Sequence, residues 1–291
     1  MRTRFTLIVL AVAALAATAF GAAGHARAST TAACDAASLN LVSSGKLTIG
    51  TDNPAYPPWY AGGVPKGSKW QINDPATGKG YESAVAYAVA KQLGFSASQV
   101  KWVVAPFNSV VAPTAKNYDF DINEVSITPD RAKIVDFSTG YYDVAQAVIA
   151  LKKDKYASAT SIAALHGAKL GAQKGTTSLD AITNQIKPGT TPAEYPTNDL
   201  AVQALKNGQI DGLVVDLPTG LYITAAELDN SVIVGQLPVA ANPEQFGLVL
   251  SKNNPNTSCV SKAVDALRTA GTLASLQQQW LTSSAGAPEL K

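Results

Sequence analysis

Residues 199–220 read DLAVQALKNGQIDGLVVDLPTG. Leu200, Ala201, Ala204 and Leu205 recur at helical spacing across 199–206, and Gly208 supplies the stop. Residues 211–215 follow as a short apolar run, the pattern of a strand buried on both faces. Pro218 opens the next helix, because proline fits a first helical turn. Helix, strand and helix in such quick succession form the building unit of a parallel α/β sheet.

The same rhythm extends outward in both directions. Upstream, strands are expected over 46–50 (KLTIG), 100–104, 119–123 (DFDIN), 145–151 and 169–172. Helices are expected over 83–93, from Thr128-Pro129-Asp130 onward, over 161–165 and over 176–185. The Gly/Pro/Lys-rich stretch 61–80 reads as an extended hairpin or surface loop. Downstream, a strand over 245–250 precedes two closing helices, 257–270 and 272–281. There is no internal repeat, and no low-complexity tract after the N-terminal leader.

That leader accounts for the charge balance. Arg2 and Arg4 precede an apolar run over 5–20, and Ala26-Arg27-Ala28 matches a small-residue cleavage site, so 1–28 reads as a secretory signal peptide. The run is shorter than the roughly 20 residues a membrane span needs. The 291 residues carry 23 Lys+Arg against 21 Asp+Glu, a net charge of +2. Removing the leader, which holds three arginines and no acid, leaves 20 against 21. A near-neutral chain offers no electrostatic case for nucleic acid or an anionic membrane as partner. With 46% hydrophobic and 15% charged residues, disordered and coiled-coil classes are excluded too. The two cysteines, Cys34 and Cys259, form an even count in an exported chain, which favours a disulfide over lipidation of Cys34.

Open α/β sheets bind ligands beyond the carboxyl ends of their strands. Polar residues collect there four times: Asp52; Asn123, Glu124 and Ser126; Gln173 to Thr177; and Asp216. Arg131 stands out in a chain that has 18 lysines but, past the leader, only Arg131 and Arg268 as arginines. A guanidinium grips a carboxylate bidentately, which an ammonium cannot do. Backbone N–H groups of Thr176 and Thr177 at a helix start suit the same carboxylate, and Asp216 suits an ammonium. The combination fits a zwitterionic α-amino acid. The competing reading makes Arg131 a surface partner of Asp130 or Asp136. Of the nearby aromatics, Trp59 and Tyr60 are assigned to packing, whereas Tyr56 and Phe107 could equally pack or touch a ligand. Catalytic signals are sparse. His166 is the single histidine beyond the leader, so Ser-His-Asp and His-based zinc sites lack parts. Nucleotide-binding glycine motifs are absent, so no cofactor and no metal are expected.

Six blocks carry a resemblance: GTDNPAYPPW, GKGYESAVAYAVAKQLGF, DFDINEVSITPDRAKIVDFSTGYY, GAQKGTTS, ALKNGQIDGLVVDLP and AGTLASLQQQW. Together they resemble the family 3 extracellular solute-binding proteins, the amino-acid-binding components of bacterial ABC importers. The resemblance implies a type II periplasmic-binding-protein fold, α/β, with two parallel-type sheets joined by two crossing strands. Lobe 1 would comprise 29–143 and 241–291, and lobe 2 residues 144–240, with crossings near 142–148 and 240–246. Arg131, Ser126, Thr176 and Thr177 would hold the ligand carboxylate, and Asp216 and Glu124 its ammonium. Asp52, Tyr56, Phe107, Asn123 and Gln173 would face the side chain. A glutamate at 124, where the family usually has a small or hydroxyl residue, adds negative charge and favours a cationic or amide side chain. The implied protein is a periplasmic monomer that delivers its amino acid to an ABC permease. The alternative is an exported enzyme on the same scaffold, resembling cyclohexadienyl dehydratase, with Glu124 moving a proton.

Overall fold

Two five-stranded sheets divide the chain into two lobes. The computed structural model describes residues 34–281 and 287–291, so the leader expected over 1–28 lies outside the described residues. From the N-terminal side come β1 (Leu47–Thr51), α1 (Tyr81–Gln92), β2 (Val100–Val104), α2 (Phe107–Val110), β3 (Phe120–Asp121), α3 (Pro129–Ala132) and β4 (Val135–Val144). The second lobe holds β5 (Gln146–Leu151), β6 (Leu170–Gln173), α4 (Thr177–Ala181), β7 (Ala193–Tyr195), α5 (Asn198–Lys206), β8 (Gly212–Asp216), α6 (Leu217–Tyr222) and β9 (Ser231–Gln236). The chain then returns through β10 (Glu244–Ser251) to α7 (Thr257–Thr269) and α8 (Thr272–Leu281).

The strand orders are β2-β1-β3-β10-β4 and β7-β6-β8-β5-β9. Strands joined through helices pair in parallel, namely β1 with β2 and β3, and β6 with β7 and β8. The strands beside the crossings are antiparallel: β10 to β3 and β4, and β5 to β8 and β9. The sheets are therefore mixed, not the parallel type expected. Parallel neighbours need a long crossover, whereas β4 runs through Ala145 straight into β5. The chain passes from one sheet to the other at Ala145 and again between β9 and β10.

Each lobe has its own core. In the first, Ile49, Val85, Val89, Phe120, Leu248 and Val264 are buried around a ring cluster of Trp59, Tyr81, Tyr142 and Phe246. In the second, successive residues of β5 face opposite sides of the sheet. Val148 and Ala150 join Leu170, Ile182 and Val234, while Ile149 joins Leu205, Leu213 and Ile223. Cys34 and Cys259 are disulfide-bonded and pin the start of the described chain to α7. The 61–80 excursion closes on itself through Ala61 N–H donating to Lys79 O at 2.9 Å.

The C-terminal residues depart from expectation. Residues 287–291 were assigned with the first lobe, but Glu289 pairs with Gln236 on the β9 edge and Leu290 is buried in the second core. An open strand edge offers unpaired N–H and C=O groups, and Leu290 brings an apolar side chain to cover. Gly235 makes the room, since a Cβ there would stand 2.7 Å from Leu290 Cγ.

Candidate ligand-binding site

Between the sheets lies a cavity of about 180 Å³ lined by residues of both lobes. All the candidate residues line it: Asp52, Tyr56, Phe107, Asn123, Glu124, Ser126 and Arg131 from the first lobe, and Gln173, Thr176, Thr177 and Asp216 from the second. Most stand at or just past a strand's carboxyl end, where helix starts and tight turns aim side chains back over the sheet.

Arg131 is placed by α3. Thr128 caps this short helix, its hydroxyl accepting from Arg131 N–H at 3.2 Å, with Pro129 behind it. The guanidinium donates through Nη1 to Ser126 O (2.7 Å) and through Nη2 to Gly175 O of the second lobe (3.0 Å). Its face lies over the Phe107 ring, 5.3 Å from the centroid. The surface-pair alternative fails, because Asp130 pairs with Lys133 and Asp136 with Lys252. Burial lowers the guanidinium's pKa, and the charges of Glu244, Asp216 and Asp180 oppose that.

The hydroxyls behave differently from one another. Thr176 caps α4, accepting from Leu179 N–H and donating to Gln173 O. Ser126 Oγ and Thr177 Oγ1, 3.3 Å apart across the lobes, both donate to one oxygen of Glu244, the latter at 2.6 Å. Asp216 accepts from Gln146 Nε2 at 2.7 Å. Desolvation and then Glu244 push its pKa up to about 8.

Glu124 adopts a positive φ of 52° and turns its carboxylate across the cleft, where Thr219 of α6 donates to it at 2.8 Å. Trp59 Nε1 donates to the same Thr219 hydroxyl at 2.9 Å, so a packing residue also bridges the lobes. Desolvation first, then Glu82 and Asp216, hold the Glu124 carboxyl well above its ordinary range.

At the far end, Asp52 accepts from the backbone N–H groups of Asn53 (2.8 Å) and Phe107 (3.4 Å). Burial raises its pKa and Asp199 adds to the rise, while Asn123 opposes it. Tyr56 Oη donates to Asp199 at 2.8 Å, again across the lobes. Asp199, Thr219 and Glu244 are the residues sequence reading missed. Asp199 was read as an ordinary residue of a helix start, and Glu244 fell one position before the expected strand. No short motif marks either.

Beneath the cavity lie two further acids, Glu82 and Asp121, both fully buried. Glu82 Oε1 accepts from Glu124 N–H (2.7 Å) and from Tyr141 Oη, while Oε2 has no partner. Neither carboxylate oxygen of Asp121 has a hydrogen-bond partner. Burial pushes Glu82 up to about 7 from 4.5, against the hydrogen bonds it accepts. A carboxyl with a raised folded-state pKa binds its proton more tightly in the native chain than in the unfolded one. Stability is then greatest below the ordinary value and falls as pH rises through about 7, by about 3 kcal/mol for this group. Thermal unfolding is accordingly expected at lower temperature at pH 8 than at pH 5. Glu82→Gln, which keeps the Oε1 acceptor, should shrink that difference. An unchanged difference would remove Glu82 as its source.

Residues 47–283 match the bacterial extracellular solute-binding proteins, family 3. The chain belongs to this family. It is 30% identical over 213 residues to the ABC transporter arginine-binding protein 1 of Escherichia coli (strain K12), covering 69% of this chain and 81% of that protein. A solved ancestral arginine-binding protein bound to glutamine superposes with a TM-score of 0.63 at 27% identity, covering 81% of this chain and 98% of that one. The ancestral amino acid-binding protein AncCDT-1, a precursor of cyclohexadienyl dehydratase, gives 0.61 at 26% identity, covering 81% and 95%. The architecture is the two-lobed type II periplasmic-binding-protein fold of this family. Among the described residues no helix is long and apolar enough to cross a membrane, and no cluster of three or more His, Cys, Asp or Glu could hold a metal ion.

Proposed function

We propose that this chain binds a cationic α-amino acid between its lobes, outside the cytoplasm, and presents it as a monomer to an ABC permease. The carrying observation is the acidity of the cavity. Four acidic side chains, Asp52, Glu124, Asp199 and Asp216, line it against the one guanidinium of Arg131. Arg131, Ser126, Thr176 and Thr177 take the ligand carboxylate, and Asp216 with Glu124 takes the α-ammonium. A zwitterion so held leaves Asp52 and Asp199 facing each other from the two lobes. Asp52 is partly buried and Asp199 is exposed, and the repulsion between the two favours a cation between them. Tyr56, Phe107, Asn123 and Gln173 wall the side-chain end.

Closure is the mechanism this geometry supports. Arg131–Gly175, Ser126–Thr177, Tyr56–Asp199 and Glu124–Thr219 all cross the cleft. A ligand touching both lobes shifts the population toward the closed arrangement, and the permease reads that shape. The relatives named above are binding proteins, and the dehydratase precursor among them is itself described as an amino acid-binding protein. The binding reading is therefore preferred to the enzyme alternative.

Thermal shifts across the twenty amino acids test the proposal. Ligand at a hundred times its Kd stabilises by about 2.7 kcal/mol, or roughly 5–10 °C in a chain this size. Arginine, lysine or histidine should give the largest shift. A larger shift with glutamate or aspartate would overturn the charge argument.

A further inference from the structure

Two hydroxyls that line the cavity, those of Ser126 and Thr177, already donate to a carboxylate of the chain itself. Glu244 is the first residue of β10, paired with Val144 of β4 beside the crossing between lobes. The next turn of that strand is fixed against the Ser126 loop, with Phe246 bridging Ser126 and Ile127 N–H donating to Gln245 O at 2.8 Å. From there Glu244 Oε1 accepts from Ser126 Oγ of one lobe and from Thr177 Oγ1 of the other.

Donor counting sharpens the point. A serine or threonine hydroxyl has a single proton to give. With both protons directed at Glu244, neither hydroxyl can donate to a ligand carboxylate. Arg131 feels the charge of Glu244 but does not bind it directly, since its two terminal nitrogens donate to the Ser126 and Gly175 carbonyls and it forms no ion pair within 4 Å among the described residues. A ligand carboxylate arriving here meets occupied donors and must share the attraction of Arg131 with a like charge already in place.

We propose that Glu244 is a resident stand-in for the ligand's α-carboxylate. It is a specificity-determining residue that weakens binding of carboxylate-bearing ligands and favours cationic ligands whose carboxylate is absent or masked as an amide or ester. This rests on the reading that a cationic amino-acid-like ligand enters the cavity, and it narrows that reading to a class. An amino acid must displace Glu244, whereas an amide or a simple amine leaves it seated and benefits from its charge.

Calorimetric titration of L-arginine and L-argininamide into the wild-type chain, Glu244→Ala and Glu244→Gln tests this. The alanine variant should bind L-arginine about tenfold more tightly and L-argininamide no more tightly than wild type, a tenfold or greater change in the ratio of the two dissociation constants. The glutamine variant, which keeps an acceptor but loses the charge, should fall between. Arginine binding that appears in the alanine variant after being undetectable in wild type supports the proposal strongly. If wild type binds L-arginine and both variants bind it more weakly, Glu244 positions the hydroxyls for the ligand and the proposal fails, while the ligand class stands. If neither ligand binds wild type or the variants, the cationic-ligand reading falls together with the proposal.

Discussion

Replacing Asp216 with asparagine should weaken binding of a cationic amino acid by roughly 30- to 5,000-fold. The substitution keeps the size of the side chain and an oxygen to accept from Gln146 Nε2. It removes the charge proposed to face the α-ammonium. Leaving a desolvated cation unpaired costs about 2–5 kcal/mol, and each 1.4 kcal/mol is a factor of ten in Kd. The pH dependence adds a second signature. In the ligand-free chain Asp216 is pushed up to about 8, so near neutral pH it holds its proton much of the time. The ammonium prefers the ionised carboxylate and must expel that proton. Affinity should therefore rise from pH 6 to pH 8, by up to about tenfold per unit. The asparagine variant has no such proton to expel and should show a flatter profile. Titrations at pH 6, 7 and 8 check both points. Binding within threefold of wild type in the variant would refute the assignment of Asp216 to the ammonium.

The second large effect concerns stability and should leave the ligand untouched. Cys34 and Cys259 are 225 residues apart. Closing so long a loop restricts the unfolded chain by about 5 kcal/mol in the entropy model, although bridges usually contribute about 2–4. Replacing both cysteines with serine should lower the melting temperature by roughly 5–15 °C. The N-terminal segment would not fall away completely. Asn40 and Asn256 exchange two hydrogen bonds, Val42 N–H donates to Asp119, and Ala36, Leu39 and Leu41 pack on the first core. Ligand affinity should stay within twofold, because neither cysteine lines the cavity. A melting temperature unchanged by the double substitution would show that these contacts alone hold the segment.

The parts of the fold readable from sequence are those where one local pattern dominates. The helix–strand–helix run over 199–220 appears as α5, β8 and α6 almost residue for residue. The pairs β1 and β2, and α7 and α8, were equally plain. β4 was not, because its residues VDFSTGYYDV mix polar and aromatic side chains without clean alternation. They pack against β10, a partner more than a hundred positions away. β3 shrank to Phe120–Asp121, since the chain turns away and reaches a positive φ at Glu124. β9 (SVIVGQ) is a strand that the helix–strand rhythm alone does not predict, although its run is β-branched.

The candidate site divides along the same line. Residues just past strand ends were found because topology alone sends them to the cleft. Asp199, Thr219 and Glu244 were not, because each gains its meaning from a partner on another element: Tyr56, Glu124, and the Ser126–Thr177 pair. Glu82 was hidden for a related reason. Acids in the first turn of a helix are usually solvated, and here α1 begins early enough to bury one.

The docking of the C-terminal residues on β9 sets a mechanical limit. Leu281 is buried in one core and Leu290 in the other. The two jaws thus share a third covalent tie besides the crossings, and any swing apart must either keep both anchors seated or unhook Leu290.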